Sequence, residues 1–241
     1  NTMASFRSAR ALSPDMIETD VHMTSDHKLI LMHDHLVDRT TNGTGLIREK
    51  TLAQMRELDA GGWKAPEFAG EKVPTVEEFL DFFADDKKML FNIELKDYPA
   101  DSGDFAYESA DRTIAMMDEY GITERSVVNS WSGELNEYLA EKYQGRLRIH
   151  AYQPQERMGL RQKRYVCDYA YCVCLFGPHE KPVPEKRLFD TIIAYGVEPW
   201  MYFKVDTPEL IDEALANGTR LFTCNDPAWT LDYLRSKGLH Q

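Results

Sequence analysis

The sequence lacks several features that would assign it to a specialised class of protein. No run of about 18 apolar residues occurs in its 241 positions, so no membrane-spanning helix is predicted. Basic residues are in the minority, with 28 Lys and Arg against 40 Asp and Glu, and the net charge is −12. This balance argues against a nucleic-acid-binding protein and against adhesion to anionic lipid, because both use a basic surface. Internal repeats and low-complexity segments are also missing, and we predict a single domain over residues 1–241.

Cysteine is scarce, and its spacing argues against a zinc site. The four cysteines are Cys167, Cys172, Cys174 and Cys224. Cys172 and Cys174 can share one face of a strand, which leaves a soft-metal site open as an interpretation. The paired spacing of a zinc site is missing, however, so buried reduced thiols are the favoured interpretation. Reduced thiols favour a reducing compartment, and we predict a cytoplasmic location.

Strand and helix patterns alternate along the chain. Strands are predicted at 16–23, 89–95, 126–130, 147–152, 168–175, 198–203 and 221–224. Helices are predicted at 2–12, 51–58, 75–83, 105–120, 134–142, 155–163, 184–195, 208–217 and 227–237. This alternation predicts parallel βαβ units in an α/β protein. A closed barrel of this kind has eight strands in about 250 residues. We count seven, taking 29–32 as an extension of the first strand, and expect the eighth to precede Asn1.

The first predicted strand carries an unusual pair of acidic residues. Successive side chains of a strand point to opposite faces, so Glu18, Asp20 and His22 share one face. The Cα atoms of Glu18 and Asp20 are then roughly 6–7 Å apart. Two carboxylates in a shielded place repel each other and lose hydration, whereas a divalent cation resolves the conflict. His33 follows the next short strand and is a candidate for proton transfer.

A second motif lies on the predicted strand at 89–95 and the residue after it. By the same alternation, Asn92, Glu94 and Lys96 share one face. Glu94 adds a third carboxylate, and Lys96 supplies a positive charge for an anion at the carboxyl end of a barrel strand. The alternative is a buried ion pair of Lys96 with Glu94 or Asp20 and no metal, although such pairs are costly in desolvation.

These motifs resemble the glycerophosphodiester phosphodiesterase family. The matching segments, in order, are E-T-D at 18–20, His33-Asp34, D-R-T-T-N-G-T-G at 38–45, D-A-G-G at 59–62, V-P-T at 73–75 and I-E-L-K at 93–96. Order and spacing hold over roughly the first hundred residues. The remainder is looser. Ser130-Trp131 resembles a Ser-aromatic pair of the family, and Tyr202 falls about where the family usually has a Trp.

The resemblance implies a fold, a reaction and a set of functional residues. The fold is a (β/α)8 TIM barrel with a small insertion, here about residues 38–74. The reaction is hydrolysis of glycerophosphodiesters to glycerol 3-phosphate and an alcohol, with Ca²⁺ or Mg²⁺. Carried over to this sequence, the metal ligands are Glu18, Asp20 and Glu94, His33 is one of two catalytic histidines, and Lys96 stabilises the phosphate. Trp131 and Tyr202 are interpreted as substrate-binding walls because both lie near strand ends. Arg39 is expected to brace the Gly-rich loop at 40–45.

One departure from the family leaves alternatives open. The family begins with a His-Arg-Gly strand end followed by Pro-Glu-Asn-Thr, and only Asn1-Thr2 matches the end of that pattern. Either the chain continues upstream or it lacks the second catalytic histidine. The partner that the resemblance implies is a small phosphodiester substrate. The alternatives are a phospholipase D-like or cyclising lyase acting on lipid head groups, and a non-catalytic barrel that binds metal or sugar phosphate.

Overall fold

A computed structural model describes residues 1–240 of the chain. The chain divides into two compact units, Asn1–Val128 and a second that begins at Asn129. Strands and helices alternate through both units, as the sequence predicts. The single domain and its insertion at 38–74 stay predictions. Within the described residues, no helix is both long enough and apolar enough to cross a bilayer.

The first unit is built on three paired strands. Its elements are α1 (Met3–Ala11), β1 (Met16–Met23), β2 (Leu29–Leu31), α2 (Leu52–Glu57), α3 (Val76–Phe82), β3 (Leu90–Leu95), α4 (Pro99–Ser102) and α5 (Asp104–Glu119). Strand β1 pairs in parallel with β3, in a register that places Asp20 beside Glu94. The strand β4 (Ser126–Asn129) ends this unit and leads into the next.

The short strand β2 is an antiparallel partner of β1, with His22 opposite Ile30. The short strand predicted at 29–32 is therefore present, but it folds back on the first strand instead of continuing it, and its antiparallel direction sets it apart from the parallel strands counted above. The turn between the strands reverses the chain: the Thr24 N–H donates to the Lys28 carbonyl at 2.9 Å, and the Lys28 N–H donates to Thr24 Oγ1 at 3.0 Å. His27 adopts a left-handed backbone conformation within it, with φ of 59°. His33, just beyond β2, is consequently brought back towards β1.

Local sequence signals set the helix starts of this unit. Thr75 is the N-cap of α3 and forms a capping box with Glu78, as predicted. The helix then packs its apolar side on β3, where the rings of Phe79 and Phe91 meet edge to face at 5.6 Å. Both rings are fully buried, which stabilises each by about 2–3 kcal/mol relative to exposure. The outward face of β3 is thereby packed against α3, and its opposite face carries Glu94 and leads to Lys96.

The second unit continues the alternation of strands and helices. Its elements are α6 (Gly133–Tyr143), β5 (Arg148–Gln153), β6 (Cys172–Leu175), α7 (Lys186–Ala194), β7 (Glu198–Tyr202), α8 (Pro208–Asn217), β8 (Leu221–Thr223) and α9 (Pro227–Ser236). The strands β5 to β8 pair in sequence, all in parallel. Their apolar residues join those of α7 and α8 in one buried core. All four cysteines are free thiols, and Cys167, Cys172 and Cys174 are buried.

Two predictions in this unit differ from the structure. The helix predicted at 155–163 is reduced to a 3-10 turn at Gln155–Met158. Gly159, with φ of 83°, ends it, and the buried carboxylate of Glu137 then accepts hydrogen bonds from the Lys163 and Arg164 N–H groups. The strand predicted at 168–175 begins only at Cys172, after another 3-10 turn. In the first case the contact with Glu137 outweighs the local helical pattern.

Candidate active site

Three carboxylates meet on neighbouring strands of the first unit. Oxygen atoms of Glu18, Asp20 and Glu94 all lie within 4.8 Å of one another. Asp20 and Glu94 are buried, whereas Glu18 keeps some exposure to solvent. The parallel register of β1 and β3 produces this arrangement, because it places the inward face of one strand beside that of the other. The structure thus brings the three predicted metal ligands together.

The electrostatics of the cluster favour a bound cation. Loss of hydration, followed by repulsion from Asp20 and Glu94, raises the pKa of Glu18 well above its ordinary value. Loss of hydration also raises the pKa of Glu94. Asp20 Oδ1 is buried and lies 2.9 Å from Lys96 Nζ in an ion pair, with no further hydrogen-bond partner among the described residues. Three carboxylates that offer only oxygen atoms fit a hard divalent cation such as Ca²⁺ or Mg²⁺.

Lys96 lies inside the same cluster. Its Nζ atom is 2.9 Å from Asp20 Oδ1 and also contacts Glu94 Oε1, and the residue is only 4% exposed. Burial opposes the charge of Lys96, but the two carboxylates outweigh burial and raise its pKa above the ordinary value. Both ion pairs of the metal-free alternative are therefore present. One ammonium group nevertheless balances the charge of only one of the three carboxylates. The remaining negative charge is still suited to binding a cation.

His33 forms the other half of the candidate site. Its side chain is 63% exposed, and Nδ1 lies 2.7 Å from Asp34 Oδ1. Arg39 donates to both oxygens of Asp34, from Nε at 2.6 Å and from a terminal nitrogen at 2.8 Å. These hydrogen bonds hold the pKa of Asp34 well below its usual range. A carboxylate that stays ionised and accepts from Nδ1 leaves Nε2 as the ring atom for proton transfer.

The role expected of Arg39 needs correction. It does not brace the loop at 40–45 but fixes Asp34, and through Asp34 it orients His33. Within the loop, the Gly45 N–H donates to Asp38 Oδ2 at 2.8 Å. The His33-Asp34 pair and the 38–45 segment that contains Arg39 were both visible in the sequence. The direction of the Arg39 side chain was not.

Asp97 is a buried residue of this region that no sequence motif singles out. Its carboxylate accepts from the Met23 N–H at 2.8 Å and from Ser109 Oγ at 2.6 Å, and lies 3.1 Å from His22 Nδ1. It therefore connects the ends of β1 and β3 to α5. Only its place directly after Lys96 hinted at such a role.

Trp131 and Tyr202 belong to the second unit. The Trp131 ring stacks on Tyr152 with centroids 4.1 Å apart and planes 14° from parallel. The Tyr202 hydroxyl accepts a hydrogen bond from Asn225 Nδ2 at 3.1 Å. Both side chains are partly buried, and their substrate-binding role stays a prediction.

Comparisons with known proteins agree with this geometry. Residues 1–232 match the Glycerophosphoryl diester phosphodiesterase family. A glycerophosphodiester phosphodiesterase of Caldanaerobacter subterraneus subsp. tengcongensis is 33% identical over 233 residues, which cover 96% of this chain and 80% of that protein.

Solved structures of similar fold cover nearly the whole chain. A putative glycerophosphoryl diester phosphodiesterase of Silicibacter pomeroyi gives a TM-score of 0.82 at 22% identity, over 100% of this chain and 90% of the other. An Oleispira antarctica phosphodiesterase, solved in complex with the product sn-glycerol-3-phosphate, gives a TM-score of 0.80 at 18% identity. The match covers 98% of this chain and 91% of the other. These likenesses confirm the predicted fold class, an α/β protein of the (β/α)8 TIM-barrel type.

Proposed function

Since this chain belongs to the glycerophosphoryl diester phosphodiesterase family, we propose that it hydrolyses glycerophosphodiesters to glycerol 3-phosphate and an alcohol, with a divalent cation. The relatives are named as phosphoric diester hydrolases of this kind, and the chain is an enzyme of that class. The observation that carries the proposal is the convergence of Glu18, Asp20 and Glu94 within 4.8 Å.

The three carboxylates would hold Ca²⁺ or Mg²⁺ through oxygen atoms alone. When bound, such a cation withdraws charge from the phosphate and orients the diester. The contribution of the chain is to gather the ligands on rigid strands. Asp20 and Glu94 are adjacent in the β1–β3 register, so little rearrangement is needed to present both oxygens to one ion.

His33 would move the proton that the reaction requires. Hydrolysis breaks one phosphorus–oxygen bond, adds the oxygen of water to phosphorus and delivers a proton to the departing alkoxide. Asp34 accepts from Nδ1–H, so Nε2 is the atom that gives the proton to the alkoxide or takes one from the attacking water. His33 and Arg39 also border a cavity of about 250 Å³ whose wall includes Trp63 and Val73. This cavity offers room beside His33 for part of the diester.

Lys96 would stabilise the negative charge of the phosphate. Its ammonium group is held at Asp20 and Glu94, and a cation on these carboxylates would leave its hydrogen bonds available to phosphate oxygens. Trp131 and Tyr202, in the second unit, keep their predicted role as substrate-binding residues.

The test is release of glycerol 3-phosphate from glycerophosphocholine by the full chain in Ca²⁺ or Mg²⁺. His33→Ala should lower turnover by roughly 10²–10⁴-fold, the usual range for a lost acid–base group, with folding intact. His27→Ala is the matched control, because His27 is also exposed and lies 2.9 Å from a carboxylate, that of Glu108.

Two results would contradict the proposal. A parental rate in His33→Ala would remove the proton-transfer role. A cyclic phosphate as the final product, seen by phosphorus NMR, would favour the cyclising lyase.

A further inference from the structure

Asn1 makes three hydrogen bonds to the middle of β1. Its Nδ2 group donates to Asp20 Oδ2 at 2.6 Å. Its Oδ1 atom accepts from the Asp20 N–H at 3.1 Å and from Thr19 Oγ1 at 2.7 Å. A single side chain therefore contacts both the backbone and the carboxylate of one proposed metal ligand.

These contacts determine the orientation of both groups. The Asn1 amide cannot rotate by 180° without placing its NH₂ group against the donor N–H of Asp20, so its donor must face the carboxylate. Asp20 Oδ2 consequently accepts the hydrogen bond from Asn1, whereas Oδ1 lies on the side of the cluster, 2.9 Å from Lys96 Nζ. The Asp20 carboxylate is thus held with Oδ2 hydrogen-bonded to Asn1 and Oδ1 directed at the carboxylate cluster.

The position of Asn1 itself depends on α1. Thr2 is the N-cap of this helix, and its side chain accepts from the Ser5 N–H while the Ser5 side chain accepts from the Thr2 N–H. Phe6 then anchors the helix against Phe79, with ring centroids 4.7 Å apart. Helix α1 therefore delivers Asn1 to β1 through contacts that do not involve Asp20.

We propose that Asn1 is a positioning residue that orients Asp20 for the divalent cation, an inference that rests on the proposed function. A ligand carboxylate that is hydrogen-bonded from behind loses little freedom on binding a metal, and loss of such a partner typically weakens metal affinity 10–100-fold. Asn1 also borders the cavity beside His33, but its side-chain hydrogen bonds run to Thr19 and Asp20, so its effect on the cation is exerted through Asp20.

The experiment is calorimetric titration of the full chain with CaCl₂ and, separately, with MgCl₂. Asn1→Ala should raise the dissociation constant of the cation about 10–100-fold. At saturating cation, kcat should stay within a few-fold of the parental value, because the reacting groups are intact. Thr2→Ala is the matched control: it removes the cap of α1 and should lower the melting temperature, but it leaves the Asn1–Asp20 contacts in place.

The outcomes separate this inference from the function on which it rests. An unchanged dissociation constant in Asn1→Ala would overturn the positioning role and leave the metal centre standing. An equal rise in Thr2→Ala would also overturn it, because the effect would then come from α1 as a whole. A parental protein that binds neither cation would overturn both the metal centre and the inference.

Discussion

Replacement of Lys96 by Met separates a metal-binding cluster from a plain buried ion pair. The Lys96 side chain is 5% exposed, and its partners Asp20 and Glu94 are 3% and 8% exposed. Removing one partner of such a buried pair leaves a charge uncompensated and costs about 3–5 kcal/mol. For a protein of this size, 1 kcal/mol corresponds to about 2–4 °C in melting temperature. Lys96→Met should therefore lower the melting temperature by roughly 6–20 °C in the absence of metal.

Calcium or magnesium should recover most of that loss, because the cation then balances the carboxylates that Lys96 leaves behind. Affinity for the cation should hold or rise, since a nearby positive charge is gone, while release of glycerol 3-phosphate should fall. The assay is a pair of melting curves, with EDTA and with excess cation, alongside turnover. Lys186→Met is the control, because the exposed pair of Lys186 with Asp190 contributes at most about 1 kcal/mol.

A loss of melting temperature that excess cation cannot recover, with unchanged specific activity, would refute this reasoning. Lys96 would then be a structural counter-ion, and the role assigned to it at the phosphate would be wrong.

Three further predictions concern the residues around His33 and Asp97. Asp34→Asn should lower kcat about 10–100-fold without changing the dissociation constant of the cation, measured by kinetics and calcium titration; an equal change in both would contradict the orienting role. Arg39→Gln removes the hydrogen bonds that hold the pKa of Asp34 low. Ionised Asp34 contributes above its unfolded pKa, and this contribution is lost as pH falls through its folded pKa. Without Arg39 the folded pKa rises, so the contribution should be lost at a higher pH than in the parental protein, and the acid limb of kcat/KM should move upward. An acid limb that does not move would contradict this. Asp97→Ala leaves the Met23 N–H without its buried acceptor and should cost about 2–5 kcal/mol by chemical denaturation; a loss under about 1 kcal/mol would argue against its bracing role.

The strands were predictable because their alternation follows a local rule, and the carboxylate cluster was predictable because parallel strands of one sheet present their inward faces side by side. The period of two along a strand places Glu18 with Asp20, and parallel pairing brings Glu94 beside them. Seven predicted strands are all present, and their ends differ by only a few residues. The capping box at Thr75 similarly requires only residues three positions apart.

Other features depend on contacts between distant residues and were not predictable. The Glu137 carboxylate accepts backbone N–H groups of a segment 26 and 27 positions away and holds it outside a helix. The contact of Asn1 with Asp20 spans 19 positions, and nothing in the pattern shows that the amide faces the carboxylate. The direction of Arg39 towards Asp34 was equally hidden, because a motif gives the order of residues but not the course of long side chains.

The most direct test of a cation held by Glu18, Asp20 and Glu94 is metal depletion and restoration. Release of glycerol 3-phosphate from glycerophosphocholine by the full chain would be measured after EDTA treatment and again during titration with Ca²⁺ or Mg²⁺. We predict that activity is lost on chelation and restored by the cation, and that Glu94→Gln needs at least about tenfold more cation or is not restored. Full activity in EDTA, or the same cation requirement in Glu94→Gln as in the parental protein, would contradict the proposed metal centre.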